Sequence, residues 1–395
     1  MDIGKLPSNL VKLQTLEKLD ISHNNLSGDL PPALFVRSLQ FFIANDNHFS
    51  GSLPHFWSDM KNLVVMNVAK NHLSGEISSS VASMVSLESL HLNSNNFSGE
   101  LPSFLRSCKN LLVLDLGENR FHGQIPAWMG ESFSLLKILR LRSNMFNGSI
   151  PQQFSQLVSL QLLDLANNNL SGSIPPSFGN LHSMTVKNPG MYSIGAPFGY
   201  VETISVNWQG REFEFEKTLS LVVGIDLSSN YLTLEIPEEL TSLSGLVFLN
   251  LSRNQLNGNI PKSFGSLNWL ESLDLSYNHL SGSIPPSFSS LMFLSYLNLS
   301  NNNLSGRIPS GYQLQTLNDA SIYSGNYDLC GAPLSKNCST DDDGRDGGRY
   351  GANHDEGNME MIELSLSLGL GFVIGSWGFW GIFPNYLCNT LNFFI

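Results

Sequence analysis

Residues Leu111–Pro126 read LLVLDLGENRFHGQIP. The pattern LxxLxLxxNxFxGxIP, or its variant with leucine in place of phenylalanine, returns closely at Leu87–Pro102 and at Leu270–Pro285. In an extended segment, successive side chains point to opposite sides, so Leu114 points to one side and Asp115 to the other. The pattern therefore predicts a short strand with one apolar side, followed by a turn and a return segment.

The asparagine of this pattern marks a repeat. It recurs mostly at steps of 24 residues, at Asn24, Asn47, Asn71, Asn95, Asn119, Asn144, Asn168, Asn230, Asn254, Asn278 and Asn302. One such coil cannot bury its own apolar side, so the coils must stack. The amide of a buried asparagine can both donate and accept, and we expect it to satisfy backbone groups at the turn. The period predicts an α/β repeat solenoid, a leucine-rich-repeat arc with parallel strands on its concave face.

One step of the repeat is interrupted. Asn168 and Asn230 lie 62 residues apart, which is one period of 24 plus 38 extra residues, placed roughly within 181–219. The extra segment is rich in aromatic residues, among them Tyr200, Trp208 and Phe213. An excursion from a rigid scaffold is a common place for a binding function. The alternative is a loop that only packs against the solenoid.

Composition excludes several classes of protein. Charged residues make up 14% of the chain and the net charge is −12, which argues against binding to nucleic acid through bulk charge. The four cysteines lack zinc-finger spacing, and the chain has no metalloprotease, nucleophile-elbow, P-loop or kinase signature. We therefore expect no enzyme activity, no cofactor and no metal. The first twenty residues also lack the apolar stretch of a signal peptide.

The repeat ends near Pro309, and the remaining chain changes character. Residues 339–363 are mostly polar and acidic and predict a solvated spacer. Residues 364–383 carry no charge over twenty positions, long enough for a transmembrane helix. Ser367, Gly371 and Gly375 lie four apart there, and such small residues let another helix approach closely.

The Gly-Gln-Ile-Pro element at 123–126 has the plant-specific GxIP form of the repeat. On these motifs the chain resembles plant receptor-like proteins, in particular the group of the fungal-xylanase receptors and the tomato leaf-mould resistance proteins. The resemblance implies a right-handed arc, an island insertion at 181–219 followed by four repeats, and a C-terminal cap in which Cys330 and Cys338 form a disulfide. It also implies that the membrane helix pairs with an adaptor receptor kinase.

The implied function is a cell-surface receptor of plant defence or development that recognises a peptide or protein ligand. It would be single-pass in the plasma membrane, with extracellular repeats, and would signal through adaptor and co-receptor leucine-rich-repeat receptor kinases. Ligand-binding candidates are the outward strand and island residues His91, Glu118, Lys137, Arg140, Arg142, Tyr200, Trp208 and Phe213. Co-receptor-binding candidates in the last four repeats are Phe248, Tyr277 and Tyr296.

Eight N-x-Ser/Thr sequons predict candidate glycosylation sites in such a receptor, at Asn25, Asn96, Asn147, Asn169, Asn250, Asn298, Asn303 and Asn337. The predicted organisation comprises an uncapped repeat block 1–180, the island 181–219, four repeats 220–309, the cap 310–338, the spacer 339–363, the membrane helix 364–383 and a tail 384–395.

Two other functions remain open. A secreted or wall-associated inhibitor of microbial wall-degrading enzymes would share the GxIP coil, although that class lacks an island and a membrane helix. A truncated receptor fragment without a signalling role is the other alternative. The chain opens inside a repeat at Gly4–Pro7 and has no lysine or arginine in 384–395, where the family has a basic segment.

Overall fold

The computed structural model describes residues 4–6, 15–34, 36–53, 60–77, 84–187, 200–216 and 218–338. Its strands in chain order are β1 (Gly4–Lys5), β2 (Lys18–Asp20), β3 (Leu26–Asp29), β4 (Phe41–Ile43), β5 (His48–Ser50), β6 (Val65–Asn67), β7 (Ser74–Glu76), β8 (Ser89–His91), β9 (Asn96–Gly99), β10 (Val113–Asp115), β11 (Arg120–Gln124), β12 (Ile138–Arg140), β13 (Met145–Ser149), β14 (Leu162–Asp164), β15 (Asn169–Gly172), β16 (Ile204–Trp208), β17 (Arg211–Phe215), β18 (Gly224–Asp226), β19 (Tyr231–Glu235), β20 (Phe248–Asn250), β21 (Gln255–Asn257), β22 (Ser272–Asp274), β23 (Ser281–Ser283), β24 (Tyr296–Asn298), β25 (Asn303–Arg307) and β26 (Asp328–Cys330).

One strand from each repeat joins the main sheet. Within the described ranges it has eleven parallel strands, in the order β2-β4-β6-β8-β10-β12-β14-β18-β20-β22-β24. The register aligns the pattern, so that Leu114 lies opposite Leu90 on one neighbour and Leu139 on the other. The predicted solenoid with parallel strands is confirmed. We call the outward side chains of this sheet, such as Val113 and Asp115, the concave face.

A second, lateral sheet follows the turn of each coil. Among the described residues its longest continuous part runs β21-β19-β15-β13-β11-β9-β7. The chain then returns through short helical segments: one α-helix, α1 (Trp128–Ser132), and 3₁₀ segments at Pro32–Leu34, Ser103–Ser107, Gln152–Gln156, Pro176–Asn180, His182–Thr185, Leu219–Leu221, Glu238–Ser242, Lys262–Ser266, Pro286–Ser290, Leu314–Thr316 and Ala320–Tyr323. Three of these segments begin with a proline, at Pro32, Pro176 and Pro286, because the fixed φ of proline suits the first position of a helix.

The interior of each coil combines buried apolar side chains with one buried amide. Leu114 and Phe121 are fully buried, and Phe121 stacks on Phe146 of the next coil with ring centroids 6.4 Å apart. The Asn144 amide nitrogen donates to the carbonyls of Leu116, Leu141 and Arg142, at 3.0, 3.0 and 3.2 Å. Its oxygen accepts the Phe121 N–H at 2.9 Å. The Arg142 carbonyl also accepts the Glu118 N–H, so the side chain is a partner of the other three backbone groups, which strand pairing does not reach.

Equivalent asparagines form a ladder along the solenoid. Asn24, near the first coil, is exposed but still donates to two carbonyls of its own turn. The ladder extends one step beyond the predicted set, because Asn326 bonds to Leu299 and Leu304 in the same way. Asn326 lies 24 residues after Asn302, so the period itself contained this signal. The predicted disulfide between Cys330 and Cys338 is present in the cap.

The insertion leaves the solenoid register intact. β14 pairs directly with β18, with Leu162 opposite Gly224. Residues 181–187 continue the preceding coil, with Leu181 and Met184 buried in its core. None of the helices in the described ranges has the length and apolar character needed to cross a bilayer. The spacer 339–363, the predicted membrane helix 364–383 with Ser367, Gly371 and Gly375, and the tail 384–395 lie outside the described residues.

Candidate ligand-binding cleft

The described part of the island is a β-hairpin. β16 and β17 are antiparallel and joined by Gln209 and Gly210, with φ of +55° and +73°. Two consecutive residues with positive φ make the two-residue turn whose twist suits a hairpin. On β16, Ile204 and Val206 share one face and are buried, whereas residues of β17 are mostly exposed.

The apolar face of the hairpin packs on the concave face. Outward side chains of four strands of the main sheet meet it: Val113, Ile138, Leu162 and Phe248. Trp208 lies over Phe248, with ring centroids 5.6 Å apart. Bulky apolar residues at outward strand positions would be costly in water, and the hairpin removes them from it.

A buried polar group fixes the beginning of the hairpin segment. His91 and Glu202 form an ion pair at 2% and 6% exposure. Ser89 donates its hydroxyl to Glu202 at 2.8 Å, and the Tyr200 hydroxyl donates to the same carboxylate at 3.3 Å. Burial alone would lower the pKa of His91, but the charge and hydrogen bond of Glu202, together with the charge of Asp115, outweigh burial and raise it. The ion pair therefore connects the island to β8.

Arg140 is the centre of a second buried group. Its guanidinium is 1% exposed and lies 3.1 Å from Asp115, 2.7 Å from Glu118 and 3.6 Å from Asp164. Burial would lower its pKa, but the three carboxylates outweigh burial and raise it. The hairpin adds Glu212, whose carboxylate is 3.8 Å from the guanidinium.

With Asp226, the carboxylates around Arg140 and Arg142 outnumber the two cations. Its side chain is buried, and one carboxylate oxygen has no hydrogen-bond partner among the described residues. Arg142 is 3.9 Å from that oxygen and 3.1 Å from Asp164. Burial, and then the charge of Asp164, raise the pKa of Asp226 to about 7. At neutral pH the carboxyl therefore holds a proton for part of the time.

These contacts correct part of the predicted binding surface. His91, Arg140 and Phe248 lie on concave strands as expected, but each is at most 2% exposed. The island segment covers these three side chains, which therefore have almost no surface left for direct contact with a ligand or co-receptor. Sequence reasoning missed Glu202, Asp164 and Asp226, and no local motif marks them.

The other candidates keep some access to solvent. Glu118, Arg142 and Lys137 are half-buried, and burial lowers the pKa of Lys137. On the island, Tyr200 and Trp208 are half-buried and Phe213 is 45% exposed. In the last four repeats, Tyr277 is exposed beside Arg253, and the half-buried Tyr296 hydroxyl is 3.4 Å from Asp274. Ligand or co-receptor contacts by these residues stay predictions.

The predicted glycosylation sites differ in access. Asn25, Asn147, Asn169, Asn303 and Asn337 are exposed, whereas Asn96, Asn250 and Asn298 are half-buried. On the concave face, the Asn250 and Asn298 side-chain oxygens each accept a hydrogen bond from a serine hydroxyl two residues on. A glycan at either position would project over that face.

A cleft of about 290 Å³ opens between the first concave strands and the island. Four carboxylates and two lysines line it: Asp20, Asp115, Glu214, Glu216, Lys18 and Lys70. Lys70 bonds to Glu214 across the gap at 2.6 Å, which raises its pKa. His91, which also borders the cleft, is already paired with Glu202. The cleft is polar and carries an excess of acid, so it suits a ligand with cationic groups.

Comparison with known proteins identifies the repeats. The Leucine Rich Repeat family model matches residues 15–36, 86–108, 135–157, 159–181, 245–267, 269–291 and 293–314. Receptor-like kinase TMK2 of Arabidopsis thaliana is 35% identical over 68 residues, 17% of this chain and 8% of that protein. Receptor-like protein 48 of the same plant is 38% identical over 60 residues, 15% of this chain and 7% of that protein.

Among solved structures, the Arabidopsis receptor kinase HAESA in complex with the peptide hormone IDA and the co-receptor SERK1 is similar to this chain. The TM-score is 0.62 at 31% identity, over 84% of this chain and 52% of that one. The matched region thus spans less than a tenth of either curated relative and about half of the receptor structure. The chain carries leucine-rich repeats homologous to those of plant receptor-like kinases and receptor-like proteins.

Proposed function

Because its leucine-rich repeats are homologous to those of plant receptors, we propose that this chain is the ligand-recognition part of a plant receptor-like protein. It binds a peptide or protein ligand between the island hairpin and the first concave strands, without catalysis. The repeats lie outside the cell, a single C-terminal helix anchors the chain in the plasma membrane, and partner receptor kinases carry the signal in defence or development.

The acidic cleft carries this proposal. It is formed by two parts of the chain that lie far apart in sequence, with Asp20 on one wall and Glu214 on the other. The buried pair of His91 and Glu202 and the contact of Trp208 with Phe248 hold these walls together. A binding site that is held in place by buried contacts loses less conformational entropy when a ligand binds. In the HAESA structure, a similar repeat array is in complex with a peptide hormone.

A cleft-filling variant tests the binding site. Asn45 lines the cleft, so Asn45→Trp would occupy it, whereas Ser149→Trp places the same bulk in a groove on the lateral sheet. The full chain, expressed in leaf cells and immobilised, is incubated with peptide fractions of leaf extracellular fluid and of microbial culture filtrate. Bound peptides are identified by mass spectrometry. We expect wild type and Ser149→Trp to retain the same peptides, and Asn45→Trp to retain at least about tenfold less.

Two outcomes would contradict the proposal. Equal retention by Asn45→Trp would show that the peptides bind outside the cleft. If the wild-type chain retained no peptide selectively, the proposal that it binds a peptide ligand would be contradicted. Co-precipitation from the same cells tests signalling: a receptor brings leucine-rich-repeat receptor kinases with it. Retention of a microbial wall-degrading enzyme without any kinase would favour the inhibitor instead.

A further inference from the structure

The exposed strand of the island hairpin has a free edge. β17 pairs with β16 only, in a sheet of two strands within the described residues. The residues that flank a two-residue turn form a hydrogen-bonded pair, which here is Trp208 with Arg211. Pairs alternate along an antiparallel ladder, so Glu212 and Glu214 sit in non-hydrogen-bonded pairs. Their backbone N–H and C=O groups therefore point away from β16, toward the free edge.

The side chains along this edge have a definite pattern. Glu212 and Glu214 lie on one face of β17, with the side chains 63% and 56% exposed. Phe213 lies on the other face of β17, the face that it shares with its cross-strand partner, the buried Val206. Phe213 is still 45% exposed. The hairpin thus rests on the repeats through the apolar side chains of β16, whereas β17 meets them through the carboxylates of Glu212 and Glu214. Acidic side chains and a partly exposed aromatic ring therefore alternate along a backbone edge that has no partner among the described residues.

The cleft continues this surface. Glu214 of β17 and Glu216, the residue directly after β17, both line the cleft. The bond from Glu214 to Lys70 is exposed on both sides, so it contributes about 1 kcal/mol or less. A cation from a bound ligand can replace Lys70 there at little cost.

We infer that β17 takes an extended peptide segment as a third strand, and that this segment alternates basic and apolar side chains. The basic side chains lie beside Glu212 and Glu214, at the short spacing of neighbouring strands. The apolar side chains cover Phe213, and the main chain supplies hydrogen bonds to the free edge. The inference rests on the proposed function, since it defines how the peptide ligand lies in the same site.

The test separates main-chain addition from charge. The probe is an acetylated heptapeptide amide with lysine at odd positions and valine at even positions. One control peptide carries glutamate in place of lysine, and another carries N-methyl groups that block one edge. Glu212→Pro removes the outward N–H of β17 but no bond to β16, because proline is tolerated at such an edge position. Glu212→Gln, its matched control, removes the same charge and keeps the N–H.

Binding is measured with the full chain in non-ionic detergent, by fluorescence anisotropy and hydrogen exchange. We expect the lysine probe to bind wild type, and Glu212→Pro or N-methylation to weaken binding at least about tenfold. Glu212→Gln should weaken it only about two- to threefold, and salt should weaken it further. The Glu212 and Glu214 amides should exchange at least about fivefold more slowly with the probe present.

The opposite results would overturn the inference. Equal binding of the lysine probe by Glu212→Pro and Glu212→Gln would show charge attraction without a third strand. No binding of the probe to wild type at concentrations up to about 1 mM would show that the β17 edge is not a peptide site. Natural peptides that are lost in Asn45→Trp but retained in Glu212→Pro would leave the proposed function standing and remove the third strand alone.

Discussion

Two sets of buried polar side chains hold this molecule together, and they differ in origin. The asparagine ladder bonds to backbone inside the coils, as Asn144 does through four hydrogen bonds. The group around Arg140 lies on the other side of the same sheet and joins side chains from strands and island. The first set is neutral and recurs in nearly the same form from coil to coil, whereas the second is charged and occurs once among the described residues.

The difference teaches where specificity resides in a repeat protein. Each amide of the ladder satisfies local backbone, so it supports the same coil wherever the coil stands. The charged group depends on partners that are present only at the island, and a buried charge is costly without them. Removing one member of each set should therefore have unequal effects.

The largest effect is expected for Arg140→Ala. The change leaves the buried carboxylate of Asp115 without its cation and Asp164 with Arg142 alone, at a cost of about 3–5 kcal/mol in the free energy of unfolding. The matched control is Arg106→Ala, which removes an exposed ion pair with Glu131 and should cost about 0–1 kcal/mol. Urea unfolding of the full chain measures both, and equal values would contradict the contrast.

A smaller effect is expected for Asn144→Ala. Three backbone groups that strand pairing does not reach lose a hydrogen bond, while the Arg142 carbonyl keeps the Glu118 N–H, so the loss should be about 2–3 kcal/mol. Asn110→Ala removes an exposed amide with one bond to the Val85 carbonyl, and should change stability by about 0.5 kcal/mol or less. Hydrogen exchange at the amides of β11 and β13 reports the local loss. Unchanged exchange in Asn144→Ala would show that the ladder is dispensable.

The charged set should also make stability depend on pH. The pKa of Asp226 is raised to about 7 in the folded chain and returns to its ordinary acidic value on unfolding. Between about pH 4 and 7 the folded state therefore binds more protons than the unfolded state. As the pH rises through this range, the free energy of unfolding falls by at most about 1.4 kcal/mol per pH unit. Asp226→Asn keeps the bond from the Ser228 N–H and should flatten this slope. An unchanged slope in urea titrations would exclude Asp226 as its source.

The smallest effect tests a departure from the repeat itself. Leu234 has φ +66° and is 58% exposed, at the position where neighbouring coils have Gly172 and Gly258. An L side chain in this region is strained, so Leu234→Gly should raise stability by about 0.5–1 kcal/mol after the entropy of glycine is counted. The reciprocal change, Gly258→Leu, should lower it. A loss of stability in Leu234→Gly would mean that the exposed side chain makes a favourable contact.

The same contrast explains what the sequence could predict. The repeat period and the residue types within it were enough to predict the coils, the buried asparagines and the parallel sheet. Each of these features depends on residues within one repeat and its neighbours. The island contacts could not be predicted in this way. Glu202 meets Ser89 across 113 positions, and nothing in either local sequence names the other. The one available signal was Val113 and its equivalents, apolar at outward strand positions that a bare concave face would leave in water.

The unbroken pairing of β14 with β18 has a consequence for how such proteins diversify. The strands before and after the insertion pair directly, with Leu162 opposite Gly224. The pairing of the coils therefore does not depend on the length of the inserted segment. Doubling a flexible loop costs only about 0.6 kcal/mol in closure entropy. Islands can therefore be exchanged as cassettes between solenoids, in evolution or by grafting. The requirement is that a new cassette presents an apolar strand face and a carboxylate for His91, so that recognition can change while the frame is inherited.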